Sequence, residues 1–115
     1  MKNEQLSTTI TALKRLAIEQ QRPLWKRVAA DLEKPTRQRR VVNLWKLEQH
    51  AKDGEIILVP GKLLGDGILT KKLTVAAAFY SGEARQKVAA SGSTPLTIEE
   101  LLKKHADGKN VRIIG

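Results

Sequence analysis

With 115 residues, the chain is long enough for one domain, and its 21 Lys and Arg against 12 Asp and Glu give a formal net charge of +9, which favours a polyanionic partner such as nucleic acid. The absence of cysteine excludes disulfides, thiolate zinc sites and a cysteine nucleophile. The first residues lack the apolar segment of a signal peptide, and no run approaches the roughly 18 apolar residues of a membrane span, so we expect a cytosolic protein with no membrane partner.

The N-terminal half carries most of the positive charge and predicts helices. Residues 1–46 hold 11 Lys and Arg against 4 Asp and Glu, a net charge of +7, whereas residues 47–115 have a net charge of +2. A first helix is predicted over residues 4–20, because one apolar stripe recurs at helical spacing, formed by Leu6, Ile10, Leu13 and Ala17. The partner is therefore expected to meet this half of the chain first.

A second helix is predicted over residues 24–33, with Pro23 in its first turn. Its apolar face includes Trp25, which we expect in the core rather than stacked on a base. Lys26 and Arg27 point away from that face and are candidates for contact with RNA.

A basic segment follows, with four positive charges in seven residues: Lys34, Arg37, Arg39 and Arg40. No large apolar residue anchors residues 34–40, so a solvated loop is one interpretation. The planar guanidinium pairs with phosphate oxygens at two points and stacks on unpaired bases, which suits folded RNA. We predict that this segment contacts RNA, with Arg37, Arg39 and Arg40 as the leading residues.

A third short helix is predicted over residues 44–51, with Asn43 as its cap. Trp45 lies about a quarter-turn from the inner face of this helix. Packing against the helix of Trp25 and stacking on a base both remain open for Trp45, and packing is favoured.

The central strand and a glycine-rich loop come next. Four apolar residues in a row, Ile56 to Val59, predict a strand buried on both faces, which Pro60 is expected to end. Gly61, Gly65 and Gly67 predict a shaped loop that permits positive φ and close backbone approach. Neither the P-loop nor the GxGxxG pattern is present, so the nearby lysines are predicted to contact the RNA backbone rather than to catalyse: Lys62, Lys71 and Lys72.

The remaining chain predicts a strand over residues 74–79, a helix over residues 82–90 capped by Ser81, a helix begun by a Thr97 and Glu100 capping box, and a last strand over residues 111–114. The two histidines, His50 and His105, have no acidic partner at metal-ligand or triad spacing. We therefore predict no metal, no cofactor, no small-molecule substrate and no enzymatic activity.

Several motifs together resemble one family. The stretch from Val59 to Gly67 (VPGKLLGDG), the later LTVAA of residues 73–77, the SGEA of residues 81–84 and the upstream RRVVNL of residues 39–44 are similar, in order and spacing, to the large-subunit ribosomal proteins called L-eighteen-e. That family occurs in archaea and eukaryotes and is related to bacterial L-fifteen. The resemblance runs from about Leu6 to Ile114.

The order of predicted elements indicates a mixed α/β fold in a single domain, residues 1–115, with a basic helical part at 1–51 and a mixed α/β core at 52–115. The resemblance implies a compact, irregular layered β-β-α core with the N-terminal helices and basic segment on ribosomal RNA. It also implies a structural constituent of the large ribosomal subunit, archaeal in type and cytoplasmic, with large-subunit ribosomal RNA and neighbouring ribosomal proteins as partners. The alternative is a free-standing RNA-binding regulatory protein.

Overall fold

The computed structural model describes residues 3–35 and 38–115, with side chains from residue 6 onward. The described residues form an α/β fold, as predicted. The helices are α1 (Asn3–Glu19), α2 (Pro23–Glu33), α3 (Leu44–His50), α4 (Gly82–Ala90) and α5 (Ile98–Lys104). The strands are β1 (Arg40–Asn43), β2 (Ile56–Leu64), β3 (Thr74–Tyr80), β4 (Thr94–Thr97) and β5 (Val111–Ile113).

The strands form one sheet in which every described pairing is parallel. The long strand β2 lies in the middle, with β3 on one side and β4 beyond it. On its other side β2 has two partners in succession, because β5 pairs with Ile56–Leu58 and β1 pairs with Gly61–Leu64. The end of the chain therefore lies next to the start of β1.

Helices cover both faces of the sheet, which is why the central strands are apolar on both sides. Ile57 and Val59 belong to the core beneath α3 and α4, whereas Leu58 belongs to the core beneath α1, α2 and α5. These three residues are fully buried, which confirms the prediction for the central strand. Trp25 is also fully buried, and its Nε1 donates a hydrogen bond to the carbonyl of Ala106 at 2.8 Å.

Two predicted helix caps are confirmed, and a third holds only in position. Ser81 Oγ accepts a hydrogen bond from Ala84 N at 3.1 Å. Thr97 Oγ1 accepts from Glu100 N at 3.1 Å while Glu100 Oε1 accepts from Thr97 N at 3.0 Å, a complete capping box. Asn43 occupies the cap position of α3, but its side chain makes no capping hydrogen bond.

The prediction that Pro60 ends the central strand is wrong. Pro60 and Gly61 are both buried within β2, and the register against β3 shifts between Val59 and Lys62. These two residues face the single residue Ala78, so the strand bulges and then continues. A bulge tolerates proline because it interrupts the ladder of hydrogen bonds to which proline cannot donate.

The sequence pattern does not predict two of the strands. It places residues 40–43 in the basic segment and at the entry into a helix, yet they form β1 beside β2. It places residues 94–97 in a turn and a cap, yet they form β4 beside β3. Both strands are four residues long, too short for a periodic pattern, and each depends on a partner that is distant in sequence. The basic N-terminal half thus contributes a strand to the common sheet.

Candidate nucleic-acid interface

The structure brings together four of the predicted basic residues around β1 and the carboxyl half of β2. This basic patch comprises Lys34, Arg39, Arg40 and Lys62. Arg39 Nε donates a hydrogen bond to the carbonyl of Lys34 at 3.1 Å, and Lys62 is the register partner of Val41, the residue after Arg40. The predicted Arg37 lies outside the described residues.

Arg40 differs from the other members of the patch because protein groups occupy its guanidinium. Nη1 donates to the carbonyl of Gly115 at 2.7 Å, and Nε lies 3.7 Å from Oδ2 of Asp31. Asp31 is buried, and its Oδ1 is 3.1 Å from Nζ of Lys34. Arg40 thus links α2, β1 and the end of the chain.

A shallow pocket of about 180 Å³ lies within the basic patch. Its lining contains three cations and no carboxylate: Arg39, Arg40 and Lys62, with Val41, Gly61, Ala78 and Phe79. Val41 is 59% exposed and Phe79 is 36% exposed. Sequence reasoning misses both, since the pattern places residue 41 at a helix entry and Phe79 at an ordinary strand end.

Lys26 and Arg27 are exposed on α2, as predicted. Lys26 borders a groove between α1 and α2 that also includes Ile18, which is 79% exposed. These two cations therefore lie on the helical layer and not in the pocket between the strands.

The predicted contacts Lys71 and Lys72 lie away from the basic patch. Both precede Thr74, which begins β3, whereas Lys62 pairs with Phe79 five residues further on. That offset corresponds to about 16 Å along the strand.

Lys72 is exposed, but the Lys71 ammonium has two protein acceptors. Lys71 Nζ donates to the carbonyl oxygens of Glu48 and Ala51, the second at 2.6 Å. These carbonyls lie at the C-terminal end of α3, where a cation is favoured by the helix dipole. Hydrogen bonds from Thr70 lower the pKa of the Glu48 carboxyl at the same place.

The glycine-rich segment allows close backbone approach, as predicted. A Cβ at position 61 would collide with the carbonyl of Arg40, one at 65 would contact Glu83 and Ala84, and one at 67 would contact the backbone of Trp45. Gly67 has φ of +104°.

The carbonyls of this segment are bound by a cation, since Lys87 Nζ donates to Gly65 O at 2.7 Å and to Gly67 O at 3.0 Å. A phosphate cradle instead presents backbone N–H groups to its ligand. The geometry therefore agrees with the absence of a nucleotide-binding motif.

Trp45 does not pack as expected. It is 49% exposed, although its backbone N donates to Asp66 O at 3.0 Å. The close approach of Gly67 fixes the start of α3 at the surface, which leaves the indole half outside the core.

Metal-binding and membrane-spanning features are absent from the part of the chain that the structure describes. No group of three or more His, Cys, Asp or Glu residues is arranged to hold a metal ion there. None of the described helices is long and apolar enough to span a membrane.

Comparison with known proteins identifies one group of relatives. Residues 22–96 match the family of ribosomal proteins that comprises 50S-L15, 50S-L18e and their 60S counterpart. The large ribosomal subunit protein eL18 of Methanopyrus kandleri is 45% identical over 117 residues, which cover 97% of this chain and 92% of that protein. Proteins of the same name from Pyrobaculum aerophilum and Archaeoglobus fulgidus are 44% and 41% identical; each match covers 97% of this chain, and 92% and 96% of those proteins respectively. The resemblance drawn from the sequence motifs is confirmed.

Proposed function

Because the chain belongs to the family of ribosomal proteins 50S-L15 and 50S-L18e, we propose that it binds and stabilises folded large-subunit ribosomal RNA through lysine and arginine contacts to phosphates. Members of this family are structural constituents of the ribosome in the cytoplasm and not enzymes. We also propose that neighbouring proteins of the large subunit are its partners. The observation that best supports the RNA contact is the basic patch on β1 and β2, whose pocket is lined by cations without a carboxylate.

The mechanism is electrostatic. Each phosphate that a Lys or Arg neutralises releases condensed counterions, so affinity falls as salt rises. We assign the contacts to the exposed or partly exposed cations: Lys26, Arg27, Lys34, Arg39, Lys62 and Lys72. Arg40 and Lys71 stand behind these residues, because protein carbonyls already accept hydrogen bonds from both. Arg37, on the same basic segment, is included on sequence grounds alone.

The test is a salt titration of binding to transcribed large-subunit ribosomal RNA. Replacing Arg39 and Lys62 by alanine removes two exposed charges of the basic patch. We expect the slope of log affinity against log salt to fall by about 1.8, because each phosphate that is no longer neutralised on a duplex accounts for about 0.9. An unchanged slope would show that the patch does not meet the RNA.

The matched control is the double variant Lys103→Ala, Lys104→Ala, which removes the same charge. Both lysines are exposed at the end of α5, a helix that runs back from the carboxyl end of β4 toward the amino end of the sheet. We expect this variant to keep most of the slope. Crosslinking in cells tests the alternative, since attachment to scattered messenger RNAs instead of large-subunit RNA would indicate a regulatory protein.

A further inference from the structure

Three exposed side chains form a row across the sheet: Val41 on β1, Lys62 on β2 and Phe79 on β3. Val41 pairs in register with Lys62, and Lys62 pairs in register with Phe79. The next residue on each strand turns to the core beneath α3 and α4, as Val42, Leu63 and Tyr80 all do. The exposed row therefore faces the opposite side, beyond the cover of α1, α2 and α5.

The composition of this row is unusual for a solvent-facing surface. Phe79 is the only phenylalanine of the chain, and it stands at the surface while neighbouring Ala76 and Ala77 are buried. Val41 offers a second apolar surface on the far side of Lys62. The floor between them is backbone, because Gly61 has no side chain to fill the pocket.

The chemistry of the row selects its ligand. An aromatic ring and an aliphatic side chain favour a flat apolar group, while Arg39 and Lys62 at the same pocket favour an anion. A nucleotide whose base is free of pairing has both features, and unpaired bases commonly stack on aromatic side chains while basic groups hold the backbone. A paired base cannot make this contact because it is already stacked within its helix.

We propose that the exposed row is a binding site for one unpaired nucleotide of the RNA. The base lies on Phe79 and Val41, and its phosphate is bound by Lys62 and Arg39. This proposal rests on the proposed function, since the phosphate contacts bring the RNA to the same patch.

The experiment uses the full chain and two short RNA duplexes, one fully paired and one with a single bulged 2-aminopurine. Stacking on the ring of Phe79 is expected to quench 2-aminopurine fluorescence when the wild-type protein binds. Phe79→Leu keeps apolar volume but removes the ring, so we expect it to abolish the quenching and to weaken binding of the bulged RNA by roughly 5-fold or more. Its affinity for the paired duplex should stay unchanged.

Phe79→Tyr is the matched variant, since it keeps the ring and should keep the quenching. The proposal is overturned if Phe79→Leu and wild type prefer the bulged RNA equally, or if wild type does not prefer it at all. A loss of affinity for both RNAs in the Arg39→Ala, Lys62→Ala variant together with an unchanged Phe79→Leu ratio would reject the nucleotide site alone. No effect of that double variant on either RNA would reject the proposed function.

Discussion

At the scale of single residues, a cation can serve RNA or the fold, and its hydrogen bonds distinguish the two. Lys71 and Lys72 are adjacent, and the sequence predicts the same role for both. The ammonium of Lys71 binds the carbonyls of Glu48 and Ala51 at the end of α3, whereas Lys72 is exposed. The sequence cannot make this distinction, because the acceptors of Lys71 lie about twenty positions upstream.

We expect Lys71→Met to lower the free energy of unfolding by about 1–2 kcal/mol, because two carbonyls at a helix C-terminus lose a charged donor. Lys72→Met should change that free energy by less than about 0.5 kcal/mol but should lower the salt slope of RNA binding by about 0.9. Urea unfolding and the salt titration measure the two effects. Loss of salt slope in Lys71→Met without loss of stability would reverse the assignment.

At the scale of elements, local signals predict the helix ends and long-range contacts decide the strands. The caps at Ser81 and Thr97 are predictable because their hydrogen bonds reach only three residues along the chain. The prediction for Pro60 fails for the opposite reason. Proline usually ends a central strand, and here the strand continues because a bulge and the partner β1 accommodate it.

The junction of β1 and β2 depends on the absence of a side chain at Gly61. A Cβ there would overlap the backbone of Arg40, which cannot move without shifting β1. We expect Gly61→Ala to lower the free energy of unfolding by about 1–3 kcal/mol, measured from the urea midpoint.

Gly82→Ala is the control for this change. A Cβ at position 82 has no neighbour within 4 Å, and the residue opens α4, where alanine is the better helix former. Its stability should be equal to or above that of wild type. Equal midpoints for the two variants would mean that β1 does not lie against β2 as closely as described.

At the scale of the whole molecule, the charge of the candidate site is predictable and its apolar part is not. A net charge of +7 in residues 1–46 directs attention to the basic segment, and three of its described residues do join Lys62 around β1. The contribution of Val41 and Phe79 stays hidden in the sequence, because an exposed apolar residue has the same letter as a buried one. Only the register of three strands brings them together.

The same region holds the two ends of the fold together through a buried ion pair. Asp31 on α2 faces Arg40 on β1, and Arg40 also binds the carbonyl of Gly115. Asp31 Oδ2 and Arg40 Nε are both shielded from solvent and make no hydrogen bond, so each depends on the other for electrostatic compensation. Removing one partner should therefore cost more than removing both.

We expect Asp31→Asn to lower the free energy of unfolding by about 2 kcal/mol, less than for a fully buried pair because part of the Arg40 side chain is exposed. The double variant Asp31→Asn, Arg40→Met should lose less than the sum of the two single variants, since the uncompensated charge is gone. Urea unfolding of the four proteins in this cycle gives the coupling energy. Additive losses would show that the pair contributes nothing beyond its separate contacts, and that the carbonyl of Gly115 alone fixes Arg40 at the start of β1.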